Sequence, residues 1–177
     1  MSEPAVFFDR DGVVNISPGE GYVLNWKSFH FHEGIMEATK LCHEHGYRLV
    51  LVTSQQGVGK GLMSQTELDE IHARMQHGLA TGGGWPFDII EACTHLNGSC
   101  DCRKPSPVMI QRATQALDLD LGHSLLVGDH DRDIQMAINA GVSQTIRVRS
   151  HHEPGTSAHH TISSPRELPG LLQRLLS

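Results

Sequence analysis

The sequence has little that would take it out of water or onto a polyanion. No apolar run approaches the roughly 18 residues of a membrane-spanning helix. The start, MSEPAVFFDRDG, lacks a basic region followed by a long apolar stretch, so no secretory leader is expected. Basic residues are in the minority, with 14 Lys and Arg against 20 Asp and Glu, a formal charge of −6. Aromatic residues make up 5% of the chain. A nucleic-acid module needs a basic stripe interleaved with aromatics, so this composition argues against nucleic-acid and membrane partners. Cysteine is scarce, at four residues, and Cys93, Cys100 and Cys102 fall within ten positions beside a histidine. That clustering favours a metal site in a reducing compartment over a disulfide framework, and a cytoplasmic location is expected.

What is present is enough for one self-sufficient core: 177 residues, of which 38% are hydrophobic and 19% charged. Short apolar runs alternate with amphipathic stretches. Ala5 to Phe8, Arg48 to Thr53, Phe87 to Ala92, Ser124 to Gly128 and Gln144 to Val148 read as strands. Gly34 to His45, Ser64 to Leu79, Ser106 to Leu117 and Asp131 to Ala140 read as helices. Ser64 and Glu67 form the S-x-x-E of a capping box, and Leu68, Ile71, Met75 and Leu79 follow on one face. Cys42 falls on the apolar face of its helix and is expected in the core. The alternation predicts an α/β fold: a three-layer, Rossmann-like parallel sheet with helices on both faces. One domain spanning 1–177 is expected. No insertion is long enough to form a separate domain over the sheet, and no linker to a second domain is seen. The polar segment 150–164, with His151-His152 and His159-His160, reads as a solvated loop, although the pairs suit a metal; 167–176 reads as a closing helix.

Three pieces of sequence fall where strands end, and a fourth follows the cysteine loop: Asp9-Arg10-Asp11-Gly12, Val52 to Gly57, Gly128 to Asp133, and Arg103-Lys104-Pro105. In open α/β sheets the ligand crevice lies at the carboxyl ends of the strands. Two carboxylates two residues apart suit phosphoryl transfer, one attacking phosphorus and the other handling the proton of the leaving alcohol. Converging carboxylates repel unless a cation lies among them, and oxygen-only ligands suggest Mg²⁺, with Asp129 completing the site. Thr53 and Lys104 supply a hydroxyl and an ammonium for the equatorial phosphate oxygens. A single D-x-D-G is as well explained by a turn; four such pieces in this order are not.

Asp9-x-Asp11-Gly12, Thr53, Lys104 and Gly128-Asp129-x3-Asp133 resemble the four motifs of the haloacid dehalogenase-like (HAD) phosphatases, over most of the chain. More narrowly, FFDRDGVVN, GYV, LVTSQQGVGKG, CTHLNGSCDCRKP and LVGDHDRD resemble the heptose-bisphosphate and histidinol-phosphate phosphatase group. The resemblance implies an aspartyl-phosphate nucleophile at Asp9 and an acid/base at Asp11, whose backbone carbonyl also touches Mg²⁺. It implies phosphate binding by Thr53 and Lys104 with Ser54 beside them, a Mg²⁺ ligand at Asp129 supported by Asp133, and a substrate contact at Arg103. Ser54 stands where the family more often has Asn, and His130 where the heptose enzymes often have Lys.

Cys93-x-His95-x4-Cys100-x-Cys102 offers three thiolates and one imidazole, a tetrahedral zinc set. Soft sulfur does not suit Mg²⁺, so this is a second metal, and four protein ligands leave no open position for catalysis. Its expected role is to staple the loop that carries Arg103 and Lys104. A reduced cysteine cluster or a redox pair is the alternative.

The expected partner is a small phosphorylated metabolite held by loops around a monomeric domain. Lys60 meets a second anionic group or is a solvated loop lysine. A heptose bisphosphate is favoured and histidinol phosphate is the alternative. A phosphometabolite sensor without turnover and a zinc-stabilised binding module compete from other classes. The sensor is disfavoured because Asp9, Asp11, Lys104 and Asp129 are all present, and the module because basic residues and aromatics are few.

Overall fold

The computed structural model describes residues 1–177. Six parallel strands are ordered around β1 (Ala5–Phe8). On one side lie β2 (Arg48–Ser54) and then β3 (Ile89–Cys93); on the other lie β4 (Leu125–Gly128), β5 (Gln144–Val148) and β6 (His160–Ile162). Every neighbouring pair is parallel, so every connection must cross over a face of the sheet. Six helices cover the two faces: α1 (Ile35–Glu44), the short α2 (Gln56–Gly59), α3 (Gln65–Thr81), α4 (Val108–Leu117), α5 (Asp131–Ala140) and α6 (Leu168–Leu175).

The period-2 alternation of the strands assigns the two cores. Val6 and Phe8, with Leu49, Leu51 and Val127, pack with α1, α3 and α6. Ala5 and Phe7, with Val50, Val52 and Leu126, pack with α4 and α5. All four β1 side chains are fully buried. Burial of side chains the size of Phe7 and Phe8 stabilises by about 1.5–3 kcal/mol each. Cys42 is buried in the first of these cores, as its helix face implies. The capping box at the start of α3 is formed: Glu67 N donates to Ser64 Oγ at 3.1 Å and Ser64 N to Glu67 Oε2 at 2.7 Å. No large cap is present, and no helix is long and apolar enough to cross a membrane.

Three departures from the sequence reading have a local reason. β3 starts at Ile89 rather than Phe87, because the Phe87 N–H and carbonyl are both taken by the side chain of Gln76 on α3. α4 starts at Val108 because the Ser106 hydroxyl accepts from Val108 N and closes a turn ahead of it. The segment 150–164 is not all loop: His160–Ile162 adds the edge strand β6, with Ile146 paired to His160. Only Ile162 of its three residues is buried, too little apolar signal to separate it from its polar flanks.

The chain runs outward from β1 through β2 to β3 and then returns to β4 on the other side of β1. The crevice between β1 and β4 is therefore the topological switch point, where ligands of such sheets bind.

Candidate active site

Asp9 and Asp129 are the first residues beyond β1 and β4, so the switch point sets them side by side. The Asp9 N–H donates to Val127 O at 3.0 Å, tying the end of β1 to β4. Two glycines permit the close approach. Gly12 has φ +90°, and a Cβ on it would lie 2.2 Å from Asp129 Oδ2. A Cβ on Gly128 would lie 2.3 Å from Asp133 Cβ. The glycines of D-x-D-G and G-D-x3-D are thus steric requirements of the site. Asp133, on the first turn of α5, accepts from the N–H groups of Asp129 and His130 through Oδ2. Its Oδ1 accepts from Lys104 Nζ at 2.7 Å, and the same ammonium donates to Asp9 Oδ1 at 2.8 Å.

Carboxylate oxygens of Asp9, Asp129 and Asp133 lie within 4.8 Å of one another. Burial, and then the charge of Asp133, push the Asp9 carboxyl up to about 6 against the opposing pull of Lys104. Burial, with the charges of Asp9 and Asp133, pushes Asp129 up to about 9. Burial also disfavours the charge of Asp133, but the Lys104 charge and hydrogen bond outweigh it and hold that carboxyl below its ordinary range. Lys104 is likewise raised by its two carboxylates despite its burial. Three carboxylates around one ammonium are short of positive charge, and Asp129 carries the deficit. An all-oxygen donor set in that state fits a hard divalent cation such as Mg²⁺.

Asp11 is arranged differently. Its carboxylate lies outside the converging three and is gripped by buried donors. Oδ1 accepts from Arg10 Nε and Nη2 at 3.2 and 3.0 Å and from Asn15 Nδ2 at 2.9 Å; Oδ2 accepts from Gln55 Nε2 at 3.0 Å. Gln55 Nε2 also donates to Thr53 Oγ1 at 2.8 Å, joining Asp11 to the end of β2. The sequence reading did not single out Arg10, Asn15 or Gln55 for this role. All three are fully buried polar residues next to the motif positions, and that burial is not visible in one sequence.

Beside these groups lies a cavity of about 660 Å³, and one of its fifteen lining residues is hydrophobic. Asp9, Asp11, Ser54, Lys104, Asp129 and Asp133 line it. Three other candidates do not. Thr53 is buried behind the wall, bonded to Gln55. The Lys60 ammonium lies 5.2 Å from the centroid of the ring of Tyr22, itself a cavity residue. Arg103 approaches from the cysteine loop with Nη1 buried and unpartnered, as is Ser54 Oγ. Unpaired buried donors are costly unless a ligand completes them, and oxyanions do so well. His151 and His152 are exposed, as a solvated loop implies, and they also border the cavity.

The cysteine loop converges as its spacing implies. Cys93 Sγ lies 2.8 Å from Cys102 Sγ and 3.5 Å from Cys100 Sγ, and His95 Nδ1 lies 3.4 Å from Cys102 Sγ. No pair forms a disulfide. Burial raises Cys93 and Cys102; at Cys100 burial is outweighed by the Cys102 N–H, by hydrogen bonds with the Cys93 and Cys102 thiols and by the Arg103 N–H, which lower it toward the thiolate. Four soft donors within one coordination sphere fit zinc. The loop is seated on α2: a Cβ on Gly59 would lie 2.5 Å from Thr94 O, and Gln56 Nε2 donates to His95 O.

A buried lysine shared by a carboxylate at the end of β1 and one on the first turn of α5, at the switch point of a Rossmann-like sheet, defines a phosphatase of the HAD type. The comparisons agree. The HAD-hydrolase-like family model matches residues 101–169. The D-glycero-β-D-manno-heptose-1,7-bisphosphate 7-phosphatase of Vibrio cholerae is 38% identical over 99% of both chains. The α-anomer enzyme of Burkholderia mallei is 36% identical over 95% of this chain and 93% of its own. The crystal structure of the D,D-heptose 1,7-bisphosphate phosphatase from B. bronchiseptica, complexed with magnesium and phosphate, superposes with a TM-score of 0.83 at 28% identity, covering 97% and 98% of the two chains. The chain belongs to this heptose-bisphosphate phosphatase family of the HAD superfamily, hydrolases of phosphoric monoesters.

Proposed function

We propose that this chain removes the 7-phosphate of a D-glycero-D-manno-heptose 1,7-bisphosphate through an aspartyl-phosphate on Asp9, with residues 1–177 acting as one catalytic domain. The observation that carries the mechanism is the Lys104 ammonium bonded at once to Asp9 and Asp133, in a crevice lined almost wholly by polar groups. The names of the relatives support the substrate.

An Asp9 oxygen attacks phosphorus in line with the bridging oxygen of the ester, and that P–O bond breaks. Lys104 neutralises charge on Asp9 and on the phosphoryl oxygens as they gather at the nucleophile. Ser54 presents from the cavity wall a hydroxyl with no protein partner to those oxygens; Arg103, whose Nη1 is likewise unpartnered, sits outside the lining next to Lys104. Asp11, fixed by Arg10, Asn15 and Gln55, gives a proton to the leaving alkoxide and then takes one from the water that opens the acyl phosphate. Asp9, Asp129 and Asp133, with the Asp11 carbonyl, are the residues that would hold Mg²⁺, whose positive charge offsets that of the carboxylates and the phosphoryl group. Cys93, His95, Cys100 and Cys102 would hold zinc, which fixes the loop carrying Arg103 and Lys104.

The test is phosphate release in Mg²⁺ from both anomers of the heptose bisphosphate and from histidinol phosphate, with Asp9→Asn as the blank. Preference for a heptose anomer by about a hundredfold in kcat/KM, roughly 2.7 kcal/mol of transition-state discrimination, is expected. Preference for histidinol phosphate overturns the substrate, and substantial turnover by Asp9→Asn overturns the covalent step.

A further inference from the structure

The buried stripe of α3 runs Leu68, Ile71, His72, Met75 and Leu79. Four of these five are apolar, so the His72 imidazole stands where a core side chain would pack, and burial there is unfavourable without a polar partner. The partner is Arg10, whose Nη1 lies 3.1 Å from His72 Nε2 across 62 positions of chain. A guanidinium only donates, so Nε2 accepts and the neutral ring carries its proton on Nδ1.

Arg10 has no exposed surface, and its side chain hydrogen-bonds to two residues, His72 and Asp11. Its grip on Asp11 is lopsided. Nε and Nη2 both donate to Oδ1, at 3.2 and 3.0 Å. An arginine and a carboxylate that are free to align more often meet as a fork, one donor to each oxygen. Oδ1 takes a third bond from Asn15 Nδ2, whereas Oδ2 takes one, from Gln55 Nε2. Oδ2 is therefore the oxygen with capacity left for a proton or a substrate oxygen, on a carboxylate that borders the cavity. His72 makes the one hydrogen bond of the guanidinium that does not go to Asp11, so it is the contact that can hold Arg10 off the symmetric fork. It does this without charge. A carboxylate at that place would compete with Asp11 for Arg10, and an apolar side chain would leave Nη1 buried and unpaired.

We infer that His72 is a positioning residue for the proton transfers of Asp11, holding the Arg10 guanidinium on Oδ1 so that Oδ2 stays available to the substrate. The inference rests on the reading above, in which Asp11 is the acid and the base. A histidine that only satisfies a buried arginine affects stability and treats all esters alike. One that orients the carboxyl group matters most where the leaving group needs a proton.

The test is single-turnover cleavage with enzyme in excess, which isolates the first proton transfer. It compares two esters. One is whichever of heptose 1,7-bisphosphate and histidinol phosphate the parent cleaves faster, whose alkoxide needs a proton to leave. The other is p-nitrophenyl phosphate, whose phenolate leaves without one. His72→Asn, whose amide takes the place of Nδ1, and the apolar His72→Leu both remove the acceptor, and either suffices if the other does not fold. His72→Gln restores an acceptor near the place of Nε2. In the first two variants the ratio of alkyl to aryl cleavage rates is expected to fall about thirtyfold, a part of what general acid catalysis supplies, while KM for the alkyl ester changes by less than about threefold. His72→Gln is expected to recover most of the ratio. Asp11→Asn, which keeps the shape and has no acidic proton, reports on the acid itself. A ratio that falls in Asp11→Asn but not in the Asn and Leu variants of His72 overturns the positioning role and leaves the reading standing. A ratio unmoved in Asp11→Asn overturns the reading, and the inference with it. Equal losses on both esters, or no recovery in His72→Gln, mark a structural histidine and overturn the inference alone.

Discussion

Arg10, which has no exposed surface, places Nη1 3.1 Å from His72 Nε2 while its other nitrogens grip Asp11 Oδ1. A buried guanidinium thus connects α3 to the carboxylate assigned to proton transfer, with the Phe29 ring 5.9 Å away. The contact requires His72 to be neutral, because Arg10 has only donors to offer. Burial, and then the Arg10 charge, push His72 down to about 4.

Stability therefore depends on His72 in a defined direction. The folded value lies below the unfolded one of about 6.5, so the folded state binds fewer protons between them. The stabilisation is complete above pH 6.5 and is lost as pH falls toward 4. Urea unfolding of the parent and His72→Gln across this window is expected to differ by about 2–3 kcal/mol in its pH dependence. The glutamine variant, which keeps an acceptor for Arg10 but cannot titrate, has the flatter profile. Parallel profiles would show that His72 does not carry the effect.

Lys104→Met leaves Asp9 and Asp133 buried without their shared cation. Removing one member of a buried pair costs about 3–5 kcal/mol, and losing a donor at the reacting oxygens costs about 10²–10³ in rate. A fall of at least that size in kcat is expected, together with a lower Tm. Rising Mg²⁺ is expected to recover part of the Tm and little of the rate, because a divalent cation at the carboxylates does not replace the Lys104 donor. Full recovery of rate in high Mg²⁺ would show that Lys104 serves only as a counter-charge.

Much of this site was legible from the sequence, because its chemistry is written at strand ends. Asp9 and Asp129 follow apolar runs, and Lys104 follows a cysteine loop of recognisable spacing. What stayed hidden depends on tertiary distance. Arg10 reads as a loop cation between two aspartates, and only the fold turns it inward to His72. That the exposed His151 and His152 also border the cavity is hidden because nothing local ties their loop to Asp129, which the Ser150 Oγ bond to the Asp129 carbonyl does. Lys60 stayed open between an anion contact and a solvated lysine for the same reason: a basic residue in a glycine-rich loop has no direction until Tyr22 is placed beneath it.

Cys100→Ser removes one ligand from the Cys93, His95 and Cys102 set. Zinc content by mass spectrometry is expected to drop from stoichiometric to a small fraction. Loss of several kcal/mol of metal-linked folding energy, at about 2–4 °C per kcal/mol for a chain of this size, lowers Tm by about 10 °C. kcat/KM is expected to fall as well, because the loop carries both Arg103 and Lys104, and Lys104 is bonded to Asp9 and Asp133. Undiminished zinc in the variant would remove Cys100 from the ligand set.

Gly12→Ala tests whether the glycine of D-x-D-G serves the carboxylate cluster. The added methyl would sit 2.2 Å from Asp129 Oδ2, well inside contact distance, and at φ +90° an L-residue is strained in any case. The strain alone costs about 1–3 kcal/mol, but a purely structural role would stop there. Because the clash falls on Asp129, the half-saturating Mg²⁺ concentration is expected to rise about tenfold, equivalent to about 1.4 kcal/mol. The Asp129→Asn variant, which relieves no strain and adds no methyl, is expected to show the same Mg²⁺ defect without the full loss of stability. A Gly12→Ala enzyme that is destabilised yet titrates with Mg²⁺ like the parent would show that the chain relaxes around the methyl without moving Asp129. The glycine would then serve the turn and not the metal.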